Sequence, residues 1–368
     1  MTLRTEFVAL AQRPENTLTE LCRRFGISRT TAYKWLARAQ ASEPLNDRSK
    51  RPHSSPRKTS AELEERVIAL RDQFPAWGGR KLSKVLERDQ HLDVAPSTVT
   101  HILRRHGRLQ SPPHATPQPW MRFEHEAPNE LWQMDFKGPV QVGRVRCDPL
   151  TVLDDHSRFN LVLGTNTDMC GHTVQQWLTE AFQRYGLPRR MNMDNGSPWG
   201  VANGNSRHLS AFTIWLVRLG IHVSFSRPFH PQTNGKDERF HRTLNVEVLR
   251  RRAFQSMEEL RQAFDQWRTI YNHLRPHEAL GMQTPAERYT VSSRPFPKQL
   301  PAIEYAPDDI LIPVKQRGRI RLLGCPLTVS VALHGHTIAA RPRPDEDGVY
   351  DLFFSHHRLD TIDMRSVR

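Results

Sequence analysis

Three carboxylates in this sequence stand where an acid is costly unless a cation meets it. Asp135, in LWQMDFKG, interrupts a run that otherwise reads as a strand, and a carboxylate inside a strand is expensive to bury without something positive beside it. Asp194 ends the short apolar run 191–193. Asn195-Gly196 then turns the chain at once, so the carboxylate falls at a strand's carboxyl end, where open α/β sheets place their chemistry. Glu238 lies in the first turn of a helix predicted over 236–249, where Phe240, Leu244 and Val248 recur at helical spacing with few breakers; Pro231, Asn234 and Gly235 form the loop before it. Converging, the three make an oxygen-rich site for one or two magnesium ions, completed by water and substrate phosphates.

The elements that must position them are strands expected at 131–138, 146–153, 159–165 and 191–193, with another at Ile221, and helices at 172–185 and 209–219. Together these give a mixed α/β sheet. DDHSR lies between the second and third strands, and Asp154 and Asp155 are read as turn residues, because Asp bonds its own backbone there. The stretch PWGVANGNSRH, 198–208, is read as a Gly/Asn/Pro-rich loop. His230, His241 and His277 are read as structural groups, since magnesium prefers oxygen.

The set WQMDFKG, MNMDNG and HPQTNGKDERFHRTL, closing with YNHLRPHEALGMQTPAERY, resembles the catalytic core of the DDE transposases of bacterial insertion sequences, relatives of retroviral integrases with a ribonuclease-H-like fold. The resemblance covers residues 119–290. It implies that Asp135, Asp194 and Glu238 are the catalytic, metal-binding triad, holding two Mg²⁺ ions with Mn²⁺ as a substitute. It also implies the reaction: water cuts one strand at an element's end, and the freed 3′ hydroxyl then attacks target DNA. The 43 residues between Asp194 and Glu238 exceed the spacing common in the wider superfamily, and the excess is assigned to the 198–208 loop, which insertions lengthen cheaply. Arg242 and Asn245 share the helical face of Glu238. The resemblance makes Arg242 a phosphate contact; its other reading is an i,i+4 partner that steadies Glu238. Two other functions compete: a non-catalytic DNA-binding regulator derived from a transposase, against which the three intact acids count, and a hydrolytic nuclease, which explains the flanking segments less readily.

The net charge is +14, and most of it lies early. Residues 1–112 hold 21 basic against 12 acidic side chains, while the excess is three over 113–290 and two beyond. A polyanionic partner held by the amino-terminal third follows. There, TLTELCRRFGISRTTAYKWLARA reads as a helix-turn-helix within 1–42, with Ser28 as N-cap. Arg29, Thr30, Tyr33 and Lys34 face outward from its second helix toward base edges, unless the pair is only a helical hairpin. Residues 43–58 are a basic Pro/Ser linker, in which Arg51 and its neighbours either follow phosphates or merely solvate a tether. A second helix-turn-helix unit, 59–110, ends in PSTVTHILRRHG, whose outward positions are Ser97, His101, Arg104 and Arg105; Pro96 suits its first turn. The partners expected are double-stranded DNA, both terminal repeats and target, bound by a homo-oligomer, with no nucleotide cofactor and no membrane.

No apolar stretch approaches the length of a membrane span and no secretory signal opens the sequence, so a cytoplasmic, nucleoid-associated protein is expected. Cys22, Cys147, Cys170 and Cys325 are scattered singly, so neither a disulfide framework nor the zinc-binding domain of retroviral integrases is expected. After a Pro-rich hinge and the core, residues 305–368 show short β-rich runs at 320–323, 327–333, 337–341 and 349–354. They resemble the SH3-like barrel that follows integrase cores. In VKQRGRIRLL, Lys315, Arg317, Arg319 and Arg321 alternate, so one strand would place all four on one face, as a DNA-binding stripe or an ordinary solvated face, unless Gly318 breaks the register. The expected fold is therefore an all-α helix-turn-helix amino-terminal region, an α/β ribonuclease-H-like core at 119–290 and a small all-β SH3-like barrel.

Overall fold

A computed structural model describes residues 3–48, 59–109, 124–194, 196, 198–203, 206–225 and 235–366. Arg51, Asn195, His230, Pro231 and Asn234 lie outside the described residues. The chain divides into two compact units, Met1–Ser60 and Ala61–Arg368.

The first unit is three helices, α1 (Leu3–Ala11), α2 (Leu18–Phe25) and α3 (Arg29–Gln40). Thr17 caps α2 by accepting from the Glu20 N–H, and Gly26, at φ 63°, ends it in the left-handed conformation that favours glycine. Ser28 then caps α3 by accepting from the Thr31 N–H at 3.2 Å. Helix α1 was not foreseen. Its Phe7 is fully buried and meets Phe25 and Trp35 edge-on, so the helix-turn-helix closes its small core with a third helix. Arg29, Thr30, Tyr33 and Lys34 are all exposed, as expected of a DNA-reading face. The linker begins later than expected. Residues 43–48 fold back onto the helices: Arg4 donates to the Leu45 carbonyl and pairs with Asp47, and Arg38 donates to the Pro44 and Asn46 carbonyls.

The second unit opens with α4 (Ala61–Gln73), α5 (Gly79–Gln90) and α6 (Pro96–Arg105) around Val67, Trp77, Leu82, Leu86, Val99 and Ile102. Gly79 is needed where α5 crosses α6, because a Cβ there would stand 2.6 Å from the Pro96 carbonyl oxygen. Ser97, His101 and Arg104 are exposed on α6. Arg105, expected to face DNA, instead pairs with Glu64 at 2.6 Å, where His106 also binds, so its guanidinium braces α6 on α4. This helical unit is not a free module. Ile270 of the core packs into it, Arg80 pairs with Glu278, and Arg88 donates to the Leu274 carbonyl.

The core sheet runs β5-β4-β1-β6-β9. Its strands are β1 (Trp132–Phe136), β4 (Leu150–Asp154), β5 (Asn160–Gly164), β6 (Arg190–Met193) and β9 (His222–Phe225). β1 pairs antiparallel with β4 and parallel with β6, and β9 continues the parallel side. The strand expected over 146–153 is two, β3 (Val145–Cys147), in a ribbon with β2 (Val140–Val142), and then β4. The 198–208 stretch is not a plain loop but a hairpin, β7 (Gly200–Asn203) with β8 (Ser206–Leu209). One face of the sheet packs under α7 (Gly171–Tyr185) and α8 (Ala211–Arg218) through Met134, Val152, Phe182 and Leu216. The other packs under α9 (Gly235–Leu244) and α10 (Met257–His273) through Leu153, Leu163, Phe240, Leu244 and Trp267.

After the short α11 (Pro285–Arg288), the carboxyl-terminal strands are β10 (Ile310–Pro313), β11 (Arg319–Leu322), β12 (Cys325–Thr328), β13 (Thr337–Pro342), β14 (Val349–Phe354) and β15 (His357–Asp363). They form a four-stranded sheet, β10-β13-β14-β15, and a β11-β12 ribbon. The four-cation stripe is corrected. Gln316–Gly318 is a 3₁₀ turn with Arg317 at φ 61°, so only Arg319 and Arg321 share a strand face, opposite buried Ile320 and Leu322. Gly318 enforces the break, since a Cβ there would lie 2.3 Å from the Val329 carbonyl oxygen.

Candidate active site on the strand ends

Asp135 follows Met134, which faces the α7–α8 core, so the alternation of a strand turns Asp135 toward α9. Across the β1–β4 ladder its partner is Thr151. Asp194 is the first residue beyond β6, the parallel neighbour of β1, so two acids leave adjacent strands at their carboxyl ends. The Gly196 N–H donates to Asp194 Oδ1 at 3.0 Å, and a Cβ on residue 196 would stand 3.3 Å from the other oxygen. Glu238 is exposed in the first turn of α9. Asp135 feels the other two acids. Burial first, then the Asp194 charge and, less, that of Glu238 push the Asp135 carboxyl up to about 6, against a backbone N–H bond from Phe136.

Among the described residues no three His, Cys, Asp or Glu side chains stand close enough to form a ready metal shell. The donors nevertheless fit magnesium in kind, being carboxylate oxygens alone, and the mutual repulsion that lifts Asp135 is what a divalent cation relieves.

The start of α9 is held by an acid from the β4–β5 turn. Asp155, almost wholly buried, forms an ion pair with Lys236 and accepts from the His125 N–H and the Gln133 amide. Its neighbour Asp154 accepts from the Asn129 and Ser157 N–H groups and the Ser157 hydroxyl. Asp155 lies in the turn as expected and ties it to β1 and α9, whereas Asp154 is the last residue of β4 and bonds across the turn to Ser157. Removing Lys236 would leave Asp155 as a buried charge without its cation. Lys236→Met should therefore lower stability by about 3–5 kcal/mol, read from the midpoint of urea unfolding. An unchanged midpoint would show that His125 and Gln133 suffice.

Sequence reasoning missed Asp237. It is wholly enclosed, its Oδ1 has no partner among the described residues, and burial, followed by the Asp135, Asp155 and Glu238 charges, holds its carboxyl well above the usual range, opposed by Lys236. The signal was present: the stripe Phe240, Leu244, Val248, carried one turn back, falls on 237. Also missed was the π-helical turn Asn245–Leu249 that continues α9. Single π turns inside α-helices gather at functional sites. Here the Arg250 N–H donates to the Asn245 carbonyl, while Trp267 and Arg275 hold Glu247 at 2.9 and 3.0 Å. The turn lines up Glu238, His241, Arg242, Asn245, Val246 and Arg250 around one pocket of about 330 Å³. Arg242 is exposed there, as a phosphate contact would be, and Arg250 adds a second cation. His241 bonds Thr151 through Nε2 at 2.9 Å, and Thr151 donates to the Asp135 carbonyl at 3.0 Å. His277 is enclosed edge-on to Tyr271, and its Nε2 has no partner among the described residues.

Family models agree with this layout. Two models described as integrase core domains match residues 125–231 and 219–285, a helix-turn-helix domain matches 3–53, a homeodomain-like domain matches 31–103, and the C-terminal domain of IS481 family transposases matches 310–368. The chain is 31% identical over 160 residues to the insertion element IS476 39.2 kDa protein of Xanthomonas euvesicatoria, covering 44% of each. It is 28% identical over 161 residues to the insertion element IS407 31.7 kDa protein of Burkholderia multivorans, covering 44% of this chain and 55% of that one. The matched stretch thus spans about half the length of these relatives. The solved catalytic core of HTLV-2 integrase in complex with magnesium aligns at 15% identity and a TM-score of 0.34, over 45% of this chain and 99% of that one, a likeness that carries no weight beside the topology. No helix among the described residues is long and apolar enough to cross a membrane.

Proposed function

We propose that this chain, a DDE transposase of the insertion-sequence kind with an integrase-like core, binds the terminal repeats of a mobile element, cuts them and joins them to target DNA. The observation that supports the proposal is the placement of Asp135 and Asp194 at the carboxyl ends of two adjacent parallel strands, with Glu238 in the first turn of α9. These three would hold magnesium, one ion or two, with manganese able to replace it. When bound, the metal would activate an attacking oxygen and stabilise a leaving one at phosphorus. The chain's own residues do the rest. Asp155 and Lys236 fix the helix that carries Glu238, and Arg242 and Arg250 receive backbone phosphates beside it. Double-stranded DNA is read by α3 and α6, as a homo-oligomer on two ends, in the bacterial cytoplasm at the nucleoid. SH3-like closure of the carboxyl-terminal strands belongs to the same reading, with Arg319 and Arg321 as their DNA-facing pair.

The test is to incubate the protein with its own flanking genomic DNA and Mg²⁺ and map nicks on each strand. Nicks at a defined element end are expected, and their absence sinks the proposal. In the same system Arg29→Ala should weaken terminal-repeat binding by about 1–3 kcal/mol while changing random-DNA binding less. Both affinities should fall steeply with salt through counterion release. Equal losses on the two DNAs would make Arg29 a phosphate contact only.

A further inference from the structure

His241 stands three residues beyond Glu238 on α9 and lines the same pocket. Its hydrogen bonds fix which nitrogen carries the proton. Thr151 has one hydroxyl proton, and the Asp135 carbonyl, 3.0 Å away, can only accept it. The single assignment that satisfies both contacts is therefore imidazole Nε2–H to Thr151 Oγ, then Thr151 O–H to the Asp135 carbonyl. That leaves Nδ1 as a bare lone pair. Among the described residues no group bonds Nδ1, and it is not one of their enclosed, unpartnered atoms, on a ring that lines the pocket. Burial, and then the Lys137 charge, push the ring's pKa down to about 4, so the imidazole is neutral at working pH.

A neutral acceptor cannot bind a phosphate oxygen, which also only accepts. Arg242 and Arg250 on the same wall suit phosphates, whereas Nδ1 needs an O–H or N–H. Beside Glu238, the O–H on hand is that of the attacking group. We propose that His241 is a substrate-contacting residue whose Nδ1 accepts a hydrogen bond from the attacking hydroxyl and orients its oxygen toward phosphorus. So depressed a pKa makes it a guide for the hydroxyl and a poor base. The strut through Thr151 holds the ring at a fixed distance from the strand that carries Asp135.

The inference rests on the transposase reading, and the experiment separates the two. Wild-type cleavage and strand transfer in Mg²⁺ test the reading, and variants are compared only with that rate. His241→Asn keeps an acceptor near the Nδ1 position and loses the Thr151 strut. His241→Gln keeps a donor for Thr151 and loses the acceptor. We expect His241→Gln to lose about a hundredfold in single-turnover rate, the scale of a misplaced reacting group. His241→Asn should stay within about tenfold, with DNA binding and thermal midpoint unchanged in both. Equal losses, or a greater loss in His241→Asn, overturn the proposal by making the ring only a strut. Substrates with each of the four terminal bases complete the test: an equal His241→Gln deficit on all four supports the hydroxyl, and a deficit confined to one base overturns it in favour of a base N–H.

Discussion

Asp135→Asn, Asp194→Asn and Glu238→Gln are each expected to lower strand cleavage and strand transfer about a thousandfold or more while leaving terminal-repeat binding within about twofold. Each change removes one negative charge and almost no volume, so the sheet and α9 should keep their packing. Asp135 is the most informative of the three. It is half-buried, and its carboxyl is already lifted by burial and its two acidic neighbours, so its amide replaces a charge that the folded chain disfavours in the absence of a cation. Without metal, Asp135→Asn should therefore fold at least as stably as the wild type near neutral pH, because it removes repulsion rather than attraction. The comparison calls for single-turnover rates on an end substrate together with binding isotherms on the same DNA. A variant that cuts at the wild-type rate removes its residue from the triad, and one that loses binding and cutting equally shows a folding defect instead.

The catalytic elements were legible because each has a local cause in sequence. The run around Asp135 marked β1, the Asp-Asn-Gly turn ended β6, and the stripe Phe240, Leu244, Val248 marked α9. The capped helix-turn-helix was equally local: Thr17, Gly26 and Ser28 act within three or four residues of themselves. What escaped depends on residues far apart in sequence. Arg105 has the exposure and spacing of a DNA contact, but its partner Glu64 is 41 residues away. Asp237 falls on the apolar stripe of its helix, but a carboxylate there reads as solvated until the sheet beneath shows it enclosed. The π turn has no compositional mark, because Glu247 holds it through Trp267 on α10 and Arg275 just beyond it. The cation stripe failed for a nearer reason. Gly318 takes a left-handed conformation against the Val329 carbonyl, and alternation counted through such a residue loses its meaning.

The boundary between core and carboxyl-terminal strands was also drawn too sharply, and a truncation tests it. Ile312, Val314, Ile320, Leu322, Val329, Leu333, Ile338, Leu352 and Phe354 are buried in the same cluster as Phe182 of α7, Leu216 of α8 and Ile221 just before β9. Polar contacts cross the junction as well. The Ser330 hydroxyl donates to the Leu209 carbonyl at 2.6 Å in a buried setting, and the His356 ring donates to the Ile221 carbonyl while meeting His222 edge-on. Full burial of an apolar side chain of this size is worth about 1.5–3 kcal/mol. If only a third of the nine side chains' burial is against the core, about 5–9 kcal/mol depends on the junction, which rivals the whole stability of a typical domain at about 5–15 kcal/mol. A fragment of residues 61–305 keeps Arg294, which donates to the Pro188 and Gly220 carbonyls, yet should lose cooperative thermal unfolding and near-ultraviolet circular dichroism. Asp135, Asp194 and Glu238 would lose their arrangement with it, since β9 and α8 form the junction. A fragment that melts cooperatively at the full-length midpoint would show instead that residues 306–368 are an appended domain and that the shared core is contact without coupling.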